Sequence, residues 1–413
     1  MSLSHNTQNP RSMRNLLREE IPLPAAVVYN SRLQHNLQWM QNFVNQRGVK
    51  LAPHGKTTMT PAFFRLQLAA GAWGMTIATP QQARVAAGAG ATRVLMANQL
   101  VGRGNMQLVS ALLVDYPQLE LYCLIDSVEN ARQLGQFFAE SRQNLKLLLE
   151  IGVPGGRTGC RDAAQVRALC EEIQHWPQLQ LAGVETYEGL IHGECAEGRV
   201  TEHLQQVRDI CLDLLTQEKF TTESVILSGA GSAWYDRVAD IFVDHNEPRI
   251  LPILRPGCYL THDRGIYQQA QAAVMQRLER LEKTERFDGH YCPPEDLQSG
   301  LEIWAYVQSL PEPGMAILNF GKRDAAYDAG LPKPELHFRP GTDPAPRVAD
   351  EAWQLTGIMD QHAMMKIPDD ADIQVGDMLA LSTSHPCLTF DKWRQILVID
   401  DYFNVLEVAD TCF

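Results

Sequence analysis

LKLLLEIG (145–152), AAQVRALCEEIQHW (163–176) and LAGVETYEG (181–189) follow one another along the chain and decide its fold. The outer two are short apolar runs. The middle one repeats its apolar residues three and four apart, the spacing of a single helix face. A strand, a helix and a strand in that order form a βαβ unit, which lays its strands parallel. The rhythm extends both ways. Upstream stand KLAPHG (50–55), GMTIAT (74–79), RVLMANQ (93–99) and LELYCLID (119–126), and downstream SVILSGAG (224–231) and ILRPGCYL (253–260). Helical patterns separate them, among them PAFFRLQLAAG (61–71), SVENARQLGQFFAESR (127–142) and VTEHLQQVRDICLDLLTQEKF (200–220). Ser127 and Asp162 read as helix starts, since their side chains cap free backbone N–H groups.

Eight strands alternating with helices over roughly 240 residues match a (β/α)8 barrel, typically ~250 residues. A doubly wound open sheet gives similar alternation and is the rival architecture. The expected organisation is a polar, partly mobile N-terminal segment (1–24), the barrel with a leading strand AAVVYN (25–270), a connecting helix and loop (271–300), and a C-terminal antiparallel β domain (301–413). That last part has strand-like runs at 301–310, 315–321, 352–359, 377–383 and 395–408, punctuated by Pro and Gly with no βα alternation.

The 413 residues carry a net charge of −13, which argues against nucleic acid as a partner because phosphate backbones demand a basic surface. A small anion needs only a local cation. No run approaches the ~18 apolar residues of a membrane span, and the N-terminus lacks an apolar signal core. Nine dispersed cysteines without a CxxC pair read as reduced thiols, so a cytoplasmic protein is expected.

In a βα barrel the active site lies at the C-terminal ends of the strands. Of nine lysines only Lys56 falls at such an end. A buried lysine loses its proton readily and serves as nucleophile or base, whereas a loop lysine in solvent does neither. Ser228-Gly229-Ala230-Gly231-Ser232 follows the seventh strand and Pro256-Gly257-Cys258-Tyr259 the eighth, the usual phosphate site of this fold. Arg157 stands on a glycine-rich turn after the fifth strand, and Tyr187 ends the sixth. Each also reads as ordinary structure, a solvated arginine and a core aromatic. His385 and Cys387, two apart, face one metal if the segment is extended; imidazole with thiolate suits Zn2+, and no third ligand is identifiable.

These motifs, in order, resemble the D-serine dehydratase and D-threonine aldolase family: Pro53-His54-Gly55-Lys56-Thr57, Gly155–Gly159, Tyr187-Glu188-Gly189, Ser228–Ser232, Arg255–Tyr259, Asp328–Pro332 and Ser384–Cys387. The resemblance spans about residues 20–410. It implies a fold-type III enzyme, an alanine racemase-like barrel using pyridoxal 5′-phosphate (PLP). Lys56 then carries the cofactor; Arg157 lies near its phenolic oxygen and Tyr187 near its ring. Gly229, Gly231, Ser232, Gly257 and Cys258 cradle the phosphate, and His385 and Cys387 hold the metal. The His-x-Cys pair is similar to the zinc-dependent dehydratases, where aldolases carry His-x-Asp and a Mn2+-type ion. The implied activity is conversion of a D-3-hydroxy amino acid such as D-serine to a 2-oxo acid and ammonia, by a homodimer. Retro-aldol cleavage, racemisation and PLP binding without turnover are the alternatives. Family members often continue Lys-Thr-His-Lys where this chain has Lys56-Thr57-Thr58-Met59, so the surroundings of Lys56 are less basic. His362 is a further candidate near substrate or metal.

Overall fold

The computed structural model describes residues 13–282 and 295–413; the first part of the loop expected at 291–296 lies outside the described residues. Eight parallel strands form a curled sheet in the spatial order Lys50–Leu51, Ile250–Leu254, Val225–Gly229, Leu179–Thr186, Leu145–Ile151, Glu120–Ile125, Arg93–Gln99, Met75–Ile77. The two ends of this sheet meet. Trp73 N–H donates to the Leu51 carbonyl (2.7 Å), Thr76 N–H to that of Pro53 (2.8 Å), and His54 bridges Thr76 in parallel. The result is a closed barrel of eight parallel strands. A cluster of buried residues from the strands and their ends packs together: Ala52, Leu95, Tyr122, Leu124, Leu148, Ala182, Ile226 and Ile253.

Helices cover the outside. Ser127 Oγ accepts from Asn130 N–H and Asp162 Oδ1 from Gln165 N–H, as the sequence implied. Thr79 does the same for Pro80–Gly88, where a proline in the first turn costs no hydrogen bond. Lys50–Leu51 is shorter than its sequence run, because Pro53 removes a donor and the chain turns at Gly55–Thr57 into a single 3-10 turn.

The remaining strands form a second sheet, mostly antiparallel. It is built around Leu301–Glu312, which pairs with Met378–Ser382, Met315–Leu318 and Ala25–Tyr29. The leading strand, grouped with the barrel in the sequence reading, therefore sits in the other sheet, parallel to Gln395–Ile399. The physical reason is two-sided burial. Ala26 and Val28 pack into the barrel's core, while Val27 and Tyr29 pack with Trp304 and Ile399 on the opposite face. The preceding polar segment is also partly tied down. Leu16 and Ile21 are buried in that second cluster, and Asn15 pairs with Asn404. Strands Lys333–Phe338 and Ala363–Lys366 complete the sheet and were not apparent in the sequence. No helix among the described residues is long and apolar enough to cross a membrane.

Candidate active site

At the C-terminal ends of the strands lies a cavity of about 220 Å³. Lys56, Arg157, Tyr187, Gly231, Ser232, Gly257, Cys258 and Cys387 all line it, drawn from residues up to 331 positions apart (387 − 56). Ser228, Gly229, Tyr259 and His385 do not line it. Ser228 Oγ donates to the Ile253 carbonyl inside the sheet, a Cβ on Gly229 would meet Val238 and Phe242, and Tyr259 accepts from Gln67 Nε2 at 3.0 Å in the core. These three strand-end residues support the wall rather than face the cavity. His385 stands behind Cys387, and His362 is exposed on a turn of the second sheet.

Lys56 sits in the middle of the 3-10 turn that follows Lys50–Leu51; it lines the cavity, and its side chain is open to solvent on the cavity side. Partial desolvation by the cavity walls lowers its pKa first, reinforced by the Arg157 and Arg255 cations and opposed by the Cys387 and Cys258 thiols. The turn is clamped from the far side. A Cβ on Gly257 would lie 2.5 Å from Thr57 Oγ1 and 2.7 Å from the His54 carbonyl, so only glycine lets the eighth-strand turn approach the lysine turn this closely. Gly231 is constrained likewise, by the Tyr187 ring at 2.8 Å. Arg157 caps that ring from 4.6 Å.

Two acids that the sequence reading passed over organise the wall. Glu188, fully buried, accepts from Ala230 N–H (3.0 Å) and Gly231 N–H (3.1 Å), fixing a turn in which Ala230 holds φ +75°. That left-handed conformation is costly for a residue with a Cβ and persists because Glu188 holds it. Glu185 pairs with Arg255 beneath the cavity. Burial pushes the Glu185 carboxyl up to about 8 against the pull of Arg255. A carboxylate closing an otherwise apolar strand, as in LAGVETYEG, was the available signal. Glu150 at the end of LKLLLEIG is another, accepting from Thr158 Oγ1 at 2.8 Å.

The cavity fits PLP on its own chemistry. It offers one amine of lowered pKa and a glycine–serine turn pair opposite. Three wall atoms are buried without a partner, His54 Nδ1, Glu185 Oε2 and Arg255 Nε, as suits a polar ring with an anionic group.

Beside Lys56 lies a sulfur-rich corner. Cys387 Sγ is 3.5 Å from Cys258 Sγ and 3.4 Å from Thr57 Oγ1. Its pKa is drawn well below the usual thiol range, by the bond to Cys258 first and by His385 and Thr57 after that, against burial. His385 Nδ1 bonds Asp328 Oδ2 at 2.8 Å, and the Cys387 and Asp328 bonds raise it to about 9. A histidine oriented by a carboxylate through one ring nitrogen presents the other outward, the usual arrangement of a metal-ligating histidine. Among the described residues no three His, Cys, Asp or Glu side chains form a ready-made metal set.

The alanine racemase N-terminal domain model matches residues 28–264, and the serine dehydratase domain model matches 300–399. The chain is 24% identical over 385 residues to the D-threonine aldolase of Arthrobacter sp, covering 92% of this chain and 90% of that one. It is 32% identical over 167 residues to the D-threo-3-hydroxyaspartate dehydratase of Delftia sp. (strain HT23), covering 40% and 43%. The crystal structure of a D-threonine aldolase from Filomicrobium marinum superposes with a TM-score of 0.76 at 21% identity, over 95% of both chains. With a match across more than half its length, a barrel that places one lysine against two glycine turns, and a dehydratase-type sheet behind it, the chain belongs to the alanine racemase N-terminal domain family of fold-type III PLP proteins.

Proposed function

We propose that this protein is a PLP-dependent lyase that removes water from a D-3-hydroxy amino acid, D-serine or a larger analogue, to yield a 2-oxo acid and ammonia. The observation that carries this is the contact between the two halves of the site: Cys387, from the dehydratase-type segment, lines the same cavity as Lys56. Bound PLP supplies an electron sink that makes the substrate's Cα–H acidic. Lys56 is the group placed to take that proton, because partial desolvation by the cavity walls and two neighbouring cations lower its pKa. Arg157 and Arg255 supply positive charge on one side of the cavity, and the turns at 230–232 and 257–258 offer hydroxyl and backbone donors for the phosphate. His385 and Cys387 would hold a thiophilic ion such as Zn2+, with Mn2+ as the alternative, and that ion would act as a Lewis acid on the leaving hydroxyl. The overall change balances: a proton and a hydroxide leave as water, and hydrolysis of the resulting C=N function releases ammonia.

The same scaffold supports a second reading, retro-aldol cleavage, favoured by the near-full-length similarity to an aldolase. A panel of D- and L-3-hydroxy amino acids, assayed for 2-oxo acid, ammonia, glycine and aldehyde with and without added Zn2+, tests both. The proposal expects 2-oxo acid and ammonia in equal amounts from D-substrates only, lost on chelation. Glycine with an aldehyde would replace it by the second reading. No product from any substrate, with PLP bound, would refute both. The proposal extends to a cytosolic homodimer, which sedimentation of the purified chain tests.

A further inference from the structure

We propose that Cys258 and Cys387 are an oxidisable dithiol, and that the disulfide joining them withdraws Cys387 from the metal role given to it above. The metal half of this inference rests on that reading; the dithiol half does not.

The two sulfurs stand 3.5 Å apart. A disulfide needs about 2.05 Å, so they must close by roughly 1.5 Å, within reach of side-chain rotation. The backbones on either side are held. Cys258 N–H donates to Ser232 Oγ at 3.4 Å, its carbonyl accepts from His262 N–H at 2.7 Å, and Gly257 is pressed against His54 and Thr57. Cys387 lies in the first turn of the Pro386–Phe390 helix, where its carbonyl accepts from Asp391 N–H. Both thiols line the cavity, so a small oxidant admitted to the site reaches them. Cys123, Cys160, Cys170 and Cys211 are buried, while Cys195 and Cys412 are exposed elsewhere.

The bond would join the eighth-strand turn to the second sheet's helix across the mouth of the cavity. The chemistry balances with a peroxide: two thiols and one hydrogen peroxide give one disulfide and two waters, each sulfur losing one electron and the O–O bond accepting two. A sulfur in a disulfide is no longer a thiolate ligand. Cys387 stands 3.5 Å from Cys258, and a sulfur bonded there is lost to a metal held with His385, so the two partners exclude each other.

Full-length PLP-loaded protein, either chelated or loaded with Zn2+, would be treated with a few equivalents of hydrogen peroxide. Free thiols are then alkylated and the protein digested without reductant for mass spectrometry. The expected product is the Cys258 peptide joined to the Cys387 peptide, two hydrogens lighter and separable by dithiothreitol, with Cys412 alkylated as an internal control. Zn2+ should slow its appearance at least tenfold. C258S should abolish the link while keeping a wild-type circular dichroism spectrum and binding Zn2+. Alkylation of both thiols as fast as Cys412, or oxidation of Cys387 to sulfinic acid without linkage, overturns the dithiol. Linkage at equal rates with and without Zn2+ overturns the exclusivity and the metal role of Cys387, leaving the cofactor reading standing.

Discussion

Replacing Gly257 by alanine should uncouple the two halves of the cofactor site. The residue has φ −114°, which any amino acid adopts, so the cost is purely steric. The new methyl would stand 2.5 Å from Thr57 Oγ1, 2.7 Å from the His54 carbonyl oxygen and 2.9 Å from His54 Cβ. Ordinary contact begins at 3.4 Å, so the His54 backbone must recede by about 0.7 Å (3.4 − 2.7). Thr57 cannot yield by swinging into solvent, because it is 2% exposed. Overpacking of this kind costs ~1–3 kcal/mol, enough to lower the thermal midpoint by a few degrees. The larger effect falls on function: the displaced turn carries Lys56, and a misplacement approaching 1 Å costs up to ~100-fold in rate. We expect G257A to retain PLP poorly in dialysis followed by absorbance, and to turn over ten- to a hundredfold more slowly than wild type. Gly104, with nothing within 4 Å of its would-be Cβ, is the control; G104A should leave activity unchanged and stabilise by up to ~1 kcal/mol. Wild-type cofactor retention and turnover in G257A would refute the clamp.

Four further outcomes follow. K56A should lose turnover and the near-ultraviolet-to-visible band of bound PLP that borohydride otherwise fixes, with an unchanged far-ultraviolet dichroism spectrum. D328A removes the carboxylate that orients His385, and should weaken metal binding ~10–100-fold in a competitive chelator titration. D236N leaves Arg277, bonded to both carboxylate oxygens at 2.6 and 2.8 Å, as a buried cation without its counter-charge; urea unfolding should show a loss of ~3–5 kcal/mol. His262 is lowered by burial to about 4, so the unfolded chain, near 6.5, binds the proton first. Its stabilising contribution is complete above pH ~6.5 and is lost as pH falls towards 4, at most ~3 kcal/mol. H262N, in which asparagine accepts the positive φ of +47°, should flatten that part of the stability–pH curve.

The barrel was legible because its strands are buried on both faces and so appear as unbroken apolar runs. Val225–Gly229, inside SVILSGAG (224–231), is buried at every position. Lys56, Gly231, Ser232, Gly257, Cys258, Arg157 and Tyr187 were legible because strand ends name the active face of such a barrel before any side chain is placed. What the sequence hid was orientation and partnership. Ser228, Gly229 and Tyr259 belong to the right turns but point into the wall, a distinction that alternation along a two- or three-residue turn does not encode. Glu188 looked like a neighbour of Tyr187, yet its function is to receive two amides from a turn 42 residues later. The leading strand was read by proximity in sequence, whereas its alternating faces satisfy two different cores.

That strand explains how the two halves of the site are held in register. Lys56 descends from the barrel and Cys387 from the second sheet, so the spacing between amine and thiol depends on how rigidly sheet and barrel are joined. Ala25–Tyr29 makes that joint. It is hydrogen-bonded between Leu301–Glu312 and Gln395–Ile399, with Ala26 and Val28 in one core and Val27 and Tyr29 in the other. Tyr29 OH adds a 2.6 Å bond to the buried Glu302, and Arg32, from the helix that follows, bonds the same carboxylate and lies 4.0 Å above the tyrosine ring. Cores are close-packed and transmit displacement, so a strand shared by two of them leaves little freedom for sliding. The spacing between Lys56 and Cys387, on which the proposed chemistry depends, is thus set by residues that precede the barrel in sequence.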